Sequence, residues 1–185
     1  MSLRCLLFAF ALAHLASCHS SDLQAPPGHR SSPVVEIFQD AQGAYEVYGN
    51  SLFFRMYDDG LAQFEVADPA KLSGGQSHNI EEVKAVKQVH LNEKELLEIS
   101  DLVKSEAITK LGPVYQMGCC CTDASLNLAI WVRYETVDKT ISLRNFCDLN
   151  AIEHPRERYS PDFPKALSEL ILDVHNIRIK YALDK

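Results

Sequence analysis

The chain has 185 residues, 46% hydrophobic and 23% charged, which suits one domain with an ordinary core and argues against wholesale disorder. Its formal net charge is −7, and discounting residues 1–17, which hold one basic residue (Arg4) and no acid, brings it to −8. An acidic surface repels phosphate backbones and anionic headgroups, so nucleic-acid binding and membrane attachment through basic residues are both disfavoured.

Arg4 gives the start of the chain a positive charge, and residues 6–13 are apolar without interruption. That run is too short for a permanent bilayer helix and has the length of a signal-peptide core. It ends in Leu15-Ala16-Ser17-Cys18, which resembles the bacterial lipobox. There, small residues let a peptidase approach the backbone, and the cysteine thiol accepts a diacylglycerol. The resemblance implies that residues 1–17 are a signal peptide and that Cys18 is the lipid attachment site. The protein would then be exported and anchored in a bacterial cell envelope by acyl chains. The alternative is an ordinary secretory signal, cut for example after Ser20, that yields a secreted protein. His14, inside the apolar core, departs from the usual pattern.

Residues 19–33 carry three prolines and four serines and show no hydrophobic period. They cannot bury enough surface to offset ordering, so residues 18–33 read as a lipidated cysteine followed by a flexible tether. One folded domain is expected over residues 34–185.

Short β-prone runs follow at 34–38, 45–48, 52–57 and 61–66, separated by Ala41-Gln42-Gly43, Gly49-Asn50 and Asp58-Asp59-Gly60. The last is the clearest hairpin signal, because Asp-Gly tolerates the positive φ of a tight turn. Residues 68–82 read as a loop and 83–91 as a further strand. Asn92 can cap a helix, with Glu95 three residues on as in a capping box. Leu96, Ile99, Leu102 and Val103 follow at helical spacing, and Gly112-Pro113 is a stop.

Residues 126–135 alternate, with Leu126, Leu128, Ile130, Val132 and Tyr134 on one side and Asn127, Ala129, Trp131, Arg133 and Glu135 on the other. That is the pattern of a half-buried strand. A turn at 136–139 would return the chain as a strand over 140–147, pairing Tyr134 with Ile141 and Ile130 with Asn145. Finally, Ser160-Pro161-Asp162 suits a helix start. Phe163, Leu167, Leu170, Ile171, Val174, Ile177 and Tyr181 make an apolar stripe. The expected fold is α+β: an antiparallel sheet of about five to seven strands with two amphipathic helices packed on one face.

No phosphate-binding glycine loop, nucleophile elbow, zinc-protease motif or EF-hand loop occurs in the chain, so neither a cofactor nor an enzymatic activity is expected. His78, His90 and His154 read as solvated or capping residues. The unusual feature is Met117-Gly118-Cys119-Cys120-Cys121, with Cys147 downstream. Outside the cytoplasm thiols oxidise, and Cys147 is expected to pair with Cys119, Cys120 or Cys121. The competing use is a soft-metal site for copper(I) or zinc, drawing on Met117, Cys119, Cys121, Cys147 and His154. Its spacing does not match Cys-x-x-Cys pairs, and adjacent side chains diverge. On the polar side of the central strand, Trp131 and Arg133, with Arg144 and Phe146 beside them, have the composition of a binding hot spot. The alternative is that a second layer covers Trp131.

The order of Asp59-Gly60, of Leu91-Asn92 leading to Leu97, of Cys121-Thr122-Asp123 and of the helix over 163–177 resembles that of small bacterial lipoproteins. In broad layout it is also similar to the emfourin-type protease inhibitors. The cysteine triplet and the loop over 76–83 depart from that layout. The resemblance implies an inhibitor-like activity. The residues themselves point first to a non-enzymatic domain that binds a protein or a cell-wall component, and second to a metal-binding lipoprotein. In the full chain expressed in a bacterial host, Cys18→Ala is expected to abolish lipid labelling and membrane retention while the domain still folds. Acyl mass on the mature N-terminal peptide, measured by mass spectrometry, is the check.

Overall fold

The computed structural model describes residues 32–43, 51–67, 84–116, 124–146 and 163–183, all within the compact unit Ser31–Lys185. The strands are β1 (Val35–Gly43), β2 (Ser51–Met56), β3 (Leu61–Ala67), β4 (Lys84–His90), β5 (Val114–Gln116), β6 (Ala124–Tyr134) and β7 (Val137–Phe146). The helices are α1 (Glu93–Lys104), the single turn α2 (Glu106–Thr109) and α3 (Lys165–Leu183). Among the described residues the strands form one seven-stranded sheet in the order β4-β3-β2-β1-β6-β7-β5. Every pairing is antiparallel except that of β5 with β7. The protein is therefore α+β with a mixed, mostly antiparallel sheet.

β1 runs through Ala41-Gln42-Gly43, the expected separator. Its ladder with β6 continues unbroken from Val35↔Val132 to Gly43↔Ala124, and that pairing outweighs the turn composition of the segment. The run expected at 45–48 lies outside the described residues. Between β1 and β2 the register shifts, Ile37 facing Phe54 and Phe38 facing Leu52. Phe53 is thus an extra residue on β2, and Phe53 and Phe54 both enter the same buried cluster.

The β2–β3 turn forms at Asp58-Asp59-Gly60 as expected. Gly60 has φ 83°, the Tyr57 amide donates to Leu61 O at 2.9 Å, and the Leu61 amide donates to Asp59 Oδ1 at 3.0 Å. The Leu91 amide donates to Gly60 O at 3.0 Å, so the same turn braces the approach to α1. At that approach the capping box closes both ways: Glu95 N donates to Asn92 Oδ1 at 3.0 Å, and Asn92 N donates to Glu95 Oε2 at 3.1 Å. The helical run is then interrupted at Ser105, whose extended backbone ends α1 and caps α2.

The β6–β7 hairpin has a tighter turn than the sequence suggests. Tyr134 faces Val137, Ile130 faces Ile141 and Leu128 faces Leu143, so the loop is the two residues Glu135 and Thr136, with Glu135 at φ 49°. A two-residue turn with positive φ matches the twist of its strands. It also pairs Ile130 with an isoleucine in place of an asparagine. The displacement from the expected register is four residues, an even number, so over residues 137–143 each side chain keeps its expected side. A register shift between Leu128 and Leu126 then sets Phe146 opposite Leu126 rather than in the Trp131 row.

β5 was not expected. It lies parallel to β7 over Ser142–Arg144, and the Ser142 amide donates to Pro113 O at 2.8 Å. α3 starts later than its apolar stripe suggests. Pro164 O accepts from Leu167 N and Ser168 N, which leaves Phe163 ahead of the helix, edge-on to Tyr115 with ring centroids 6.2 Å apart. Ser160, Pro161 and Asp162 lie outside the described residues.

One buried cluster joins the strands (Ile37, Phe54, Phe64, Ile130, Ile141 and Leu143 among others) to Ile99, Val103 and Ile108 and to the α3 stripe Leu167, Leu170, Ile171, Val174 and Ile177. Each such side chain is worth roughly 1.5–3 kcal/mol on full burial.

A Cβ on Gly60 would stand 3.2 Å from Leu96 Cδ2 in addition to the positive φ. Gly60→Ala is expected to cost about 1–2 kcal/mol through the left-handed backbone alone, read as a lower urea midpoint with an unchanged slope.

Candidate functional site

Strand alternation gives the sheet two sides. Ile37, Ile130 and Ile141 define the side that enters the apolar cluster. On the other side the register places Gln63, Arg55, Glu36, Trp131 and Thr140 in one row across five strands. The row is polar from Gln63 to Glu36, and there it is buried: Gln63 is 3% exposed, Arg55 7% and Glu36 9%. Arg55 Nε is in close contact with Glu36 Oε2, and Arg55 Nη1 donates to Gln63 Oε1 at 3.4 Å. Tyr57 Oη donates to the same Gln63 oxygen at 3.3 Å. Tyr57 and Leu52, also on this side, are 1% exposed.

The β6–β7 part of the row is open. Trp131 is half-buried and Thr140 exposed. The indole meets the Phe38 ring edge-on, with centroids 5.4 Å apart and planes at 84°. Arg133 is braced from two sides, its Nε 3.5 Å from Asp138 Oδ1 and its Nη1 3.9 Å from Glu36 Oε1, and its side chain keeps 38% exposure. Arg144 is exposed. The side chain of Phe146 lies outside the described residues. The structure thus brings Trp131 and Arg133 together on one side of one strand, with Arg144 on the neighbouring strand. It adds Phe38 and Glu36, two partners from β1 that the sequence did not single out.

Glu36 stands where a solvated residue alternates with Val35 and Ile37. The signal for burial was Arg55, a lone cation inside Leu52-Phe53-Phe54-Arg55-Met56, which in a strand of that composition needs a buried counter-charge.

A second arginine is also withdrawn from water. Arg178 of α3 lies with its guanidinium carbon 4.0 Å from the Phe53 ring centroid and 5.9 Å from that of Phe64. Its Nη2 donates to Glu65 O at 3.0 Å. Burial pulls its pKa down to about 10, against the pull of the Glu65 carboxylate. It stays charged at neutral pH and ties α3 to β2 and β3.

Cys18, Cys119, Cys120, Cys121, Cys147, Met117, His78 and His154 lie outside the described residues. Among the described residues no group of three or more histidine, cysteine, aspartate or glutamate side chains is placed to hold a metal, and no helix is long and apolar enough to cross a membrane.

Removing the Glu36 carboxylate would break the buried Arg55–Glu36 ion pair. Glu36→Ala is expected to cost about 3–5 kcal/mol, and the double change Glu36→Leu with Arg55→Met is expected to recover most of it. Urea unfolding of the three proteins checks this. No protein-family profile matches the chain, and no curated protein is similar to it in sequence.

Proposed function

We propose that this protein is a non-enzymatic binding domain, exported and held in a bacterial cell envelope by a lipid on Cys18, that engages a protein or cell-wall partner through the open strip of β6 and β7 around Trp131 and Arg133. In this reading α1 and α3 both pack on the side of the sheet defined by Ile37, Ile130 and Ile141. The β6–β7 part of the opposite side is then free to present residues to a partner.

The observation that carries the reading is the state of Trp131 and Arg133. The indole edge is fixed by Phe38, and the guanidinium is fixed by Glu36 and Asp138. Both side chains still reach solvent. An aromatic ring and an arginine held in place before binding lose little conformational entropy on contact, which is what concentrates binding energy at such residues. A tether of about fifteen residues, at roughly 5–6 Å × √n, gives the domain a reach of about 20 Å from its anchor, enough to present that strip beyond the headgroups.

The test is a crosslinking pull-down from the native envelope with the full lipidated chain and its Trp131→Ala variant. Trp131→Ala is expected to lose most of the captured partner while its unfolding midpoint stays close to that of the parent. Equal capture by the two proteins would overturn the assignment of this strip.

A further inference from the structure

α1 and α3 enclose a groove of about 360 Å³. Glu95 holds one end of it. Its Oε2 accepts from Asn92 N at 3.1 Å and from Tyr181 Oη at 2.8 Å, and its Oε1 accepts from Lys180 Nζ at 2.6 Å. One carboxylate therefore completes the N-cap of α1 and clamps the last turns of α3.

The other end is built differently. Asp173 of α3 shares the groove lining with Glu98 of α1, and Glu169 lies one turn below it on its own helix. The charged groups facing Asp173 across the groove are Lys94, Glu95 and Glu98 of α1, with Lys180 on α3 itself. Each nearby lysine is already engaged: Lys94 with Glu98 at 3.6 Å, Lys180 with Glu95 at 2.6 Å, and Lys165 with Glu169 at 3.1 Å. Among the described residues no cation lies within ion-pair distance of Asp173. The groove has one more carboxylate than it has partners, and that carboxylate is half-buried.

We propose that the α1–α3 groove is an acid-closing clamp: Glu95 latches one end throughout the neutral range, and protonation of Asp173 draws the other end together by removing its repulsion with Glu98 and Glu169.

The two ends respond to pH with opposite sign. Burial, then the charges of Glu98 and Glu169, raise the Asp173 carboxyl above its ordinary 3.8. The folded state takes up that proton before the unfolded chain does, so this group adds stability as pH falls through its raised value. Burial also works to raise Glu95, but the Lys180 and Tyr181 hydrogen bonds and the Asn92 amide outweigh it and hold the group below its ordinary 4.5. The Glu95 contribution is complete above that value and is lost as pH falls through the lowered one. The clamp is tightest in the window between the two.

The experiment compares thermal unfolding of the full domain with that of Asp173→Asn from about pH 7 to about pH 4, at low ionic strength where repulsion is least screened. Asp173→Asn, an isosteric neutral replacement, is expected to raise the midpoint by about 2–4 °C at neutral pH. The advantage should shrink as the parent protonates and vanish in acid. Hydrogen exchange supplies the second readout. In the parent, α1 and α3 amides should gain protection on acidification, after correction for intrinsic rates, whereas in Asp173→Asn they should already be protected at neutral pH. An unchanged midpoint at neutral pH, or an advantage that persists unaltered into acid, would overturn the proposal, as would exchange protection in the two proteins that follows pH identically.

Discussion

The ladder between β1 and β6 is the constraint on which the rest of the structure depends. Among the described residues β2, β3 and β4 reach the sheet through β1, and β7 and β5 reach it through β6. Nine residue pairs, from Val35↔Val132 to Gly43↔Ala124, join the two halves. These pairs connect residues some eighty to a hundred positions apart, so the chain must close a long loop before any of them form. Until that ladder is in place, Ile37 has no Ile130 beside it and the apolar stripe of α3 has no continuous sheet to cover. The same ladder brings Glu36 beside Trp131 and Phe38 beside Ala129. The apolar core and the polar row are thus two sides of one registration, and a slip of one residue in β1 would exchange them.

That dependence explains which parts of the molecule were legible in the sequence. The local signals held. Asn92 with Glu95 closes a capping box, Asp59-Gly60 makes the tight turn, the 126–134 alternation is a strand, and the 167–177 stripe is the buried face of a helix. What failed depended on a distant partner. Gly43 is a strand residue because β6 lies beside it, and Val114-Tyr115-Gln116 is a strand because β7 does. The β6–β7 turn was displaced because apolar alternation fixes the parity of a hairpin and leaves its register free to move by even steps. Trp131 and Arg133 could be named from alternation alone. Their partners Glu36 and Phe38 could not, since nothing within β1 says which strand will lie next to it.

The buried and open parts of the polar row are linked through Glu36. One of its oxygens is in contact with Arg55, and the other lies 3.9 Å from Arg133. Arg55 is the partner through which Glu36 matters to the fold, because breaking a buried ion pair is strongly destabilising. Arg133, partly exposed, gains positioning from it more than stability, since exposed ion pairs contribute little. A residue required by the core therefore also aims a residue at the surface. Changes at Glu36 would alter both together, whereas Asp138, exposed on β7, bears among the described residues on Arg133.

Several of the described cations of this acidic chain hold elements together. Lys139 donates to Thr109 O at 2.6 Å and also to Leu111 O, at the end of α2. Lys87 of β4 donates to Tyr181 O in the last turn of α3, and Arg178 donates to Glu65 O. In the first two cases a lysine satisfies carbonyls that a helix end leaves without intrahelical partners and meets the negative pole of the helix dipole. Tyr134 Oη serves the same purpose at Lys104 O, at the end of α1. Cations fixed in this way neutralise backbone dipoles rather than side-chain carboxylates. In the α1–α3 groove Lys94 and Lys180 pair with Glu98 and Glu95, and Asp173 is the carboxylate left over. Where every neighbouring lysine is already paired with another carboxylate, the proton becomes the available counter-charge.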